Sequence, residues 1–258
     1  MKRVIRILLI VVCLCVMGYS GYQLYTIYSG YAQAENLYTD TAQQYVKPAP
    51  TRPAQEHDET KPEEQGDYAP IQVDFDALLQ QNGDIVGWLY CPDTTLNYPV
   101  VQAEDNDYYL RRMLDGNYNH SGSIFMDYRC DSGFADFNSI IYGHNMNDDS
   151  MFAVLAEYQD PQFCREHPSI YLLTPEADYR LNVMASVQTD ANSDLYTFPL
   201  TREDFDEFLQ ELMDESILDV ELDLAGVERT VLLSTCSYEF TDARYLVVGS
   251  VEKLDRRA

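Results

Sequence analysis

Residues 230–251 read TVLLSTCSYEFTDARYLVVGSV. Two apolar runs of strand length, Thr230–Thr235 and Tyr245–Val251, flank a polar connection. This pattern predicts an antiparallel pair joined by a short loop. Such a pair brings the exit of its first strand beside the entrance of its second. Cys236 stands at that exit and Arg244 opens the second run. Taken alone, Cys236 reads more as a small buried hydrophobe than as a reactive thiol.

Upstream, Thr201 followed by Asp204 forms a capping box for a helix over Glu203–Asp214. Its residues Phe205, Phe208, Leu209, Leu212 and Met213 repeat at helical spacing and predict one buried face. Tyr179–Thr189 alternates apolar and polar residues and pairs with Ser169–Leu173 as a hairpin. Further strand-like runs are Ile85–Tyr90, Leu96–Val101, Ser123–Asp127 and Ser139–Tyr142. Pro99 within the second of these predicts an edge or a bulge. Ser150–Tyr158 reads as a helix, and so does Asp74–Leu79, which Asn82-Gly83 would end. Many short strands with few helices make the domain mainly β, a closed barrel with helical decoration.

His144 follows the apolar run Ile140-Ile141-Tyr142 and then Gly143, a place from which a histidine can face a cleft. His120 and His167 lie in polar loops, and His57 in a polar tract. A thiol, an imidazole and a guanidinium at strand ends make a coherent set. The thiolate attacks, a nearby cation lowers its pKa, the imidazole protonates a leaving amine, and arginine holds an oxyanion. The chain has no CxxC pair, Walker loop, GxGxxG or HExxH, and its acids lack metal-ligand spacing. No metal and no cofactor is expected.

Three segments resemble sortases in order. They are Tyr142-Gly143-His144-Asn145-Met146, then Leu233-Ser234-Thr235-Cys236, then Ala243-Arg244-Tyr245-Leu246-Val247-Val248. Class B is indicated by Ser234 before Thr235-Cys236 and by the long helix before the cysteine strand. The segments Leu96–Val101 and Asp105–Leu110 point the same way. The resemblance runs from about Val73 to the C-terminus. It implies a barrel of about eight strands with added N-terminal helices. It also implies cleavage of a sorting motif, Asn-Pro-x-Thr followed by Gly or Asn, after the Thr. Cys236 would be the nucleophile, His144 the acid–base group and Arg244 the oxyanion or substrate ligand. Asn97, Tyr142, Ser234 and Tyr196 match positions that line or cover the substrate groove. The implied partners are surface proteins bearing the motif and an amine of the peptidoglycan precursor or cross-bridge. Three rivals are a pilus-polymerising sortase with a pilin lysine as acceptor, a non-catalytic membrane-tethered wall-binding module, and a peptidase using water. The first is disfavoured because Ala32–Pro70 carries no Asp-Pro-aromatic lid.

The chain has 258 residues and carries 43 acidic against 17 basic side chains, a net charge of −26. This excludes nucleic acid as a natural partner. Lys2, Arg3 and Arg6 precede 22 uncharged residues from Ile7 to Tyr28, enough to cross a bilayer as a helix. The basic flank orients it N-terminus-in, and the length favours an uncleaved single-pass anchor over a signal peptide, with the domain extracellular. Residues 1–31 are thus expected to be anchor, 32–70 a flexible Pro/Glu-rich linker whose first part, Ala32–Tyr45, can continue helically out of the membrane, and 71–258 the catalytic domain. A Cys91–Cys130 disulfide stays open at this level.

Overall fold

The computed structural model describes residues 2–49, 67–218, 222–236 and 242–256. Helix α1, Lys2–Tyr45, is followed by β1, Val46–Pro48, then β2, Ile71–Val73, and α2, Phe75–Gln81. Next come β3, Ile85–Tyr90, β4, Asn97–Val101, β5, Ile124–Met126, and β6, Asn138–Tyr142. A short helix α3, Pro161–Glu166, precedes the hairpin of β7, Ser169–Leu173, and β8, Asp178–Asp190. Helix α4, Arg202–Glu215, leads to β9, Thr230–Cys236, and β10, Ala243–Lys253.

Strands β3 to β10 close a barrel in the order β10-β8-β7-β3-β4-β5-β6-β9, as the sequence predicts for its fold class. Only β4–β5 and β6–β9 pair in parallel. Trp88, Leu89, Val100, Ile124, Ile140, Leu232 and Val248 of its strands are fully buried. Each such side chain contributes on the order of 2 kcal/mol by leaving water. The capping box of α4 is complete, and Phe205, Phe208, Leu209 and Leu212 are its buried face. Cys91 and Cys130 are both free thiols, so no bridge joins them.

Four details differ from the sequence reading. Pro99 is not at an edge but within the closed barrel, beside an irregularity of the β3–β4 ladder between Ile85 and Gly87, and on the part of β4 that precedes its pairing with β5. The alternation of β8 fails at Met184, an extra residue opposite the step from Val248 to Gly249. Beyond it Ser186 is buried on the expected polar face, because Gln159 and Ile217 bond to it from outside. The helix expected from Ser150 is a run of 3-10 turns over Ala153–Gln159, delayed by the left-handed backbone of Met151 (φ 58°).

The fourth difference concerns the tract after the apolar segment. The helical continuation open to Ala32–Tyr45 is present, since α1 runs unbroken to Tyr45, but its last four turns dock on the barrel where a flexible linker was expected. Ala34, Tyr38 and Thr41 are buried there. Their spacing of four and three residues makes a narrow seam on one helix face, which average composition conceals. Strand β1 then pairs with β2, Val46 opposite Val73. Residues 50–66 of the expected linker, with His57, lie outside the described residues. From Val4 to Tyr28 the same helix exposes its apolar side chains, and an 18-residue window there has a mean hydropathy of 2.3. That is long and apolar enough to cross a bilayer.

Candidate active site

Three neighbouring strand ends meet at one place. In the parallel pair β6–β9, Tyr142 stands opposite Ser234. Beyond it the Gly143 N–H donates to the Ser234 carbonyl at 3.1 Å, and Thr235 Oγ1 donates to the Gly143 carbonyl at 2.8 Å. His144 follows two residues after Tyr142 and Cys236 two residues after Ser234, so both stand just past the last pair of these neighbouring strands. On the other side of β9, Arg244 of β10 is the antiparallel partner of Cys236. Adjacent strands lie about 4.8 Å apart, so the backbones of His144, Cys236 and Arg244 fall within about 10 Å of one another. Residues 237–241 of the connection lie outside the described residues.

Gly143 is required by sterics. A Cβ there would come within 2.5 Å of Ile124 Cδ1 and 2.6 Å of Phe152 Cγ. The chain after His144 folds straight back, with the Phe152 N–H donating to the His144 carbonyl at 2.9 Å. Asn145 bridges to Met151, whose N–H donates to the Tyr98 hydroxyl at 3.1 Å. This pinning holds Met151 in a left-handed conformation unusual for a bulky side chain.

His144 is half-buried, and its Nε2 lies 2.8 Å from the Leu110 carbonyl. A carbonyl only accepts, so Nε2 carries the proton and Nδ1 is the nitrogen free to give or take one. Burial lowers the His144 pKa below its ordinary value, the Leu110 carbonyl opposes this, and the charges of Arg111 and His120 add to the lowering. Arg244 is half-buried, with Nη1 donating to the Ala243 carbonyl at 2.9 Å. The thiols of Cys91, Cys130 and Cys164 are all pushed up by burial, that of Cys130 to about 12. None of the three is an activated nucleophile.

Three of the groove residues expected from sequence come together. Tyr142 and Tyr196 stack with ring centroids 6.3 Å apart, and the Tyr196 hydroxyl lies 2.6 Å from Ser234 Oγ. Asn97 stands apart: it opens β4, and its Oδ1 accepts from Trp88 Nε1 at 2.8 Å. Sequence reasoning missed the support behind Tyr142. The Tyr142 hydroxyl donates to Asp127 Oδ2 at 3.0 Å. The Asp127 carboxylate is fully buried and takes two bonds of 2.8 Å from Arg129 and one of 2.9 Å from Asn106. Burial alone would raise the Asp127 pKa, but the bonds from Arg129 and Asn106 outweigh it and hold the carboxyl below its ordinary value. Arg129 also lies over the Phe198 ring at 4.2 Å, tying the Tyr196 segment to the same carboxylate. Among 43 acids, nothing local marks Asp127 as the buried one. Among the described residues no group of three His, Cys, Asp or Glu could hold a metal ion.

A closed eight-stranded barrel thus carries a histidine, a cysteine and an arginine at adjacent strand ends, the residue types of a thiol acyl-transfer site. The Sortase domain family model matches residues 89–252. Sortase B of Listeria monocytogenes is 38% identical over 180 residues, covering 67% of this chain and 72% of that protein. Sortase B of Staphylococcus aureus is 32% identical over 187 residues, covering 71% and 77%. Among solved structures, the sortase B from B. anthracis in complex with AAEK1 superposes with a TM-score of 0.72 at 30% identity, over 88% of this chain and all of that one (100%). The Staphylococcus aureus sortase B–substrate complex gives 0.66 at 32%, over 70% and 85%. The chain therefore belongs to the sortase family, class B, and is a cysteine transpeptidase.

Proposed function

We propose that this transpeptidase is anchored in the cell membrane by the first turns of α1 and works on the outer surface. There it cuts a sorting motif of the form Asn-Pro-x-Thr-(Gly or Asn) after the Thr and joins the surface protein to a peptidoglycan amine. The Cys236 sulfur attacks the Thr carbonyl carbon, a C–S bond forms, and Arg244 stabilises the oxyanion. Collapse breaks the C–N bond, and the His144 imidazolium gives its proton to the departing amine. The acceptor amine then attacks the thioester. An amide forms, the C–S bond breaks, and the amine's proton passes to His144. Tyr142, Tyr196 and Ser234 line the groove for the motif, and Asn97 supports it through Trp88.

The observation that carries this reading is the register: Arg244 directly opposite Cys236, with the His144 strand bonded to the same β9 through Thr235. Placement in the membrane is supported by Lys2, Arg3 and Arg6 before the apolar stretch. Exposed Tyr19, Tyr22, Tyr25 and Tyr28 near its far end suit the outer interface. The test is mass spectrometry of products formed by the full chain in detergent from a sorting-motif peptide, with and without candidate amines. Cleavage after Thr with the amine incorporated is expected, and Cys236→Ala should abolish it. Normal cleavage by that variant would sink the assignment, and water incorporated in preference to every amine would make the enzyme a peptidase.

A further inference from the structure

The Leu110 carbonyl that receives the His144 proton belongs to a segment held in place from outside. The Ser123 N–H donates to the Tyr109 carbonyl at 3.1 Å, and the Asn119 N–H to the Arg111 carbonyl at 3.0 Å. Ser123 Oγ donates to the Arg112 carbonyl at 2.8 Å. These bonds bracket Leu110 on both sides. Between them Gly122 lies so close that a Cβ would stand 2.6 Å from the Leu110 oxygen. Its φ of +59° is a second reason for glycine. The position of Leu110 is thus set by the turn at 119–123.

That turn is in turn held by α1. The buried Tyr38 hydroxyl donates to the Gly122 carbonyl at 2.6 Å and stands 3.0 Å from Ser123 Oγ. Asn119 Nδ2 donates to the Gly30 carbonyl at 2.9 Å. The Tyr38 ring is fixed edge-on against Tyr98, 5.4 Å between centroids, and Tyr98 is the residue that receives the Met151 N–H. Both ends of the His144 loop therefore lead back to Tyr38.

We propose that Tyr38, on the juxtamembrane half of α1, is a positioning residue for His144, acting through Gly122 and the Leu110 carbonyl to fix the ring's orientation and tautomer. The proposal rests on His144 being the acid–base group of the reading above. It makes the helix that enters the membrane part of the scaffold of the site.

The test uses the full chain in detergent with ¹⁵N-labelled histidine; the sequence has four histidines, so the ring signals are few. Wild type is expected to show the Nε2–H tautomer at His144. Tyr38→Phe keeps the ring and removes only the hydroxyl. It should convert that signal to a tautomer mixture and lower kcat about tenfold with KM changed less than about twofold. Asn119→Asp removes the donor to Gly30, keeps an acceptor for the Ser121 N–H, and should shift the same signal. Thr41→Ala is the control: Thr41 is equally buried on α1 but, among the described residues, its hydroxyl bonds to Leu37 of its own helix alone, and it should change neither readout. Wild-type ring signals and kcat in Tyr38→Phe would overturn the proposal, and so would an equal loss in Thr41→Ala. The ring signals decide the matter even if no transpeptidation product forms, which separates this proposal from the one before.

Discussion

Two ion-pair sites on the barrel are built from the same chemistry and do different things. Beside the candidate active site, Asp127 is fully buried, and Arg129, Asn106 and Tyr142 all bond to it. Across the barrel, Arg180 of β8 pairs with Asp67 and with Glu252 of β10, whose side chains are 50% and 48% exposed. Water solvates and screens the second group, so each of its pairs contributes little. At Asp127 water is excluded, and only the partners compensate the charge. That carboxylate in turn fixes the Tyr142 ring. The Asp127 cluster is buried and held by several partners, and the Arg180 cluster is exposed to solvent.

The largest expected effect is at Gly143, the tightest point of the site flank. Gly143→Ala forces Ile124 and Phe152 apart and should destabilise the domain by about 3 kcal/mol, read by chemical unfolding, with loss of most activity. Asp127→Asn comes next. Replacing the buried anion by an amide should cost about 2 kcal/mol, since Arg129 is partly solvated and can turn to water. It should also raise KM for the peptide more than it lowers kcat if, as proposed, Tyr142 lines the groove. An unchanged KM would break the link between the carboxylate and the groove.

A smaller effect is expected from pH. The Asp127 carboxyl is held below its ordinary value of 3.8. Its contribution to stability is therefore complete above that value and is lost as pH falls through the lowered one. In urea titrations from pH 6 to 3, wild type should lose more stability than Asp127→Asn does. The smallest effect belongs to the far flank. Arg180→Ala should change stability by no more than about 0.5 kcal/mol and leave kcat alone. A loss comparable to that of Asp127→Asn would erase the contrast between the flanks.

Much of the barrel was legible because its signals are local. The capping box of Thr201 and Asp204, the β7–β8 hairpin and the end-to-end placement of Cys236 and Arg244 follow from residues near each other in sequence. Tyr142, Tyr196 and Ser234 were picked by resemblance, and the fold brings them together. Asn97 was picked in the same way and bonds instead to Trp88, nine residues earlier on the neighbouring strand. The docking of α1 was hidden because its seam is only Ala34, Tyr38 and Thr41, set among residues that suit a solvated tract equally well. A search for small and aromatic residues at spacings of four and three beyond the apolar stretch could have found it.

The sequence by itself determined that a long apolar helix precedes a mainly β domain and that a thiol and a guanidinium sit at facing strand ends. Both follow from periodicity and chain connectivity, which act over a few residues. Only the tertiary structure decided which acid is buried, which carbonyl orients His144, and that the helix after the apolar stretch stays attached to the barrel. Those depend on pairs such as Tyr38 with Gly122 and Asp127 with Tyr142, which the fold brings together across long separations. Burial, which sets the charge and proton state of such groups, belongs to the packed molecule.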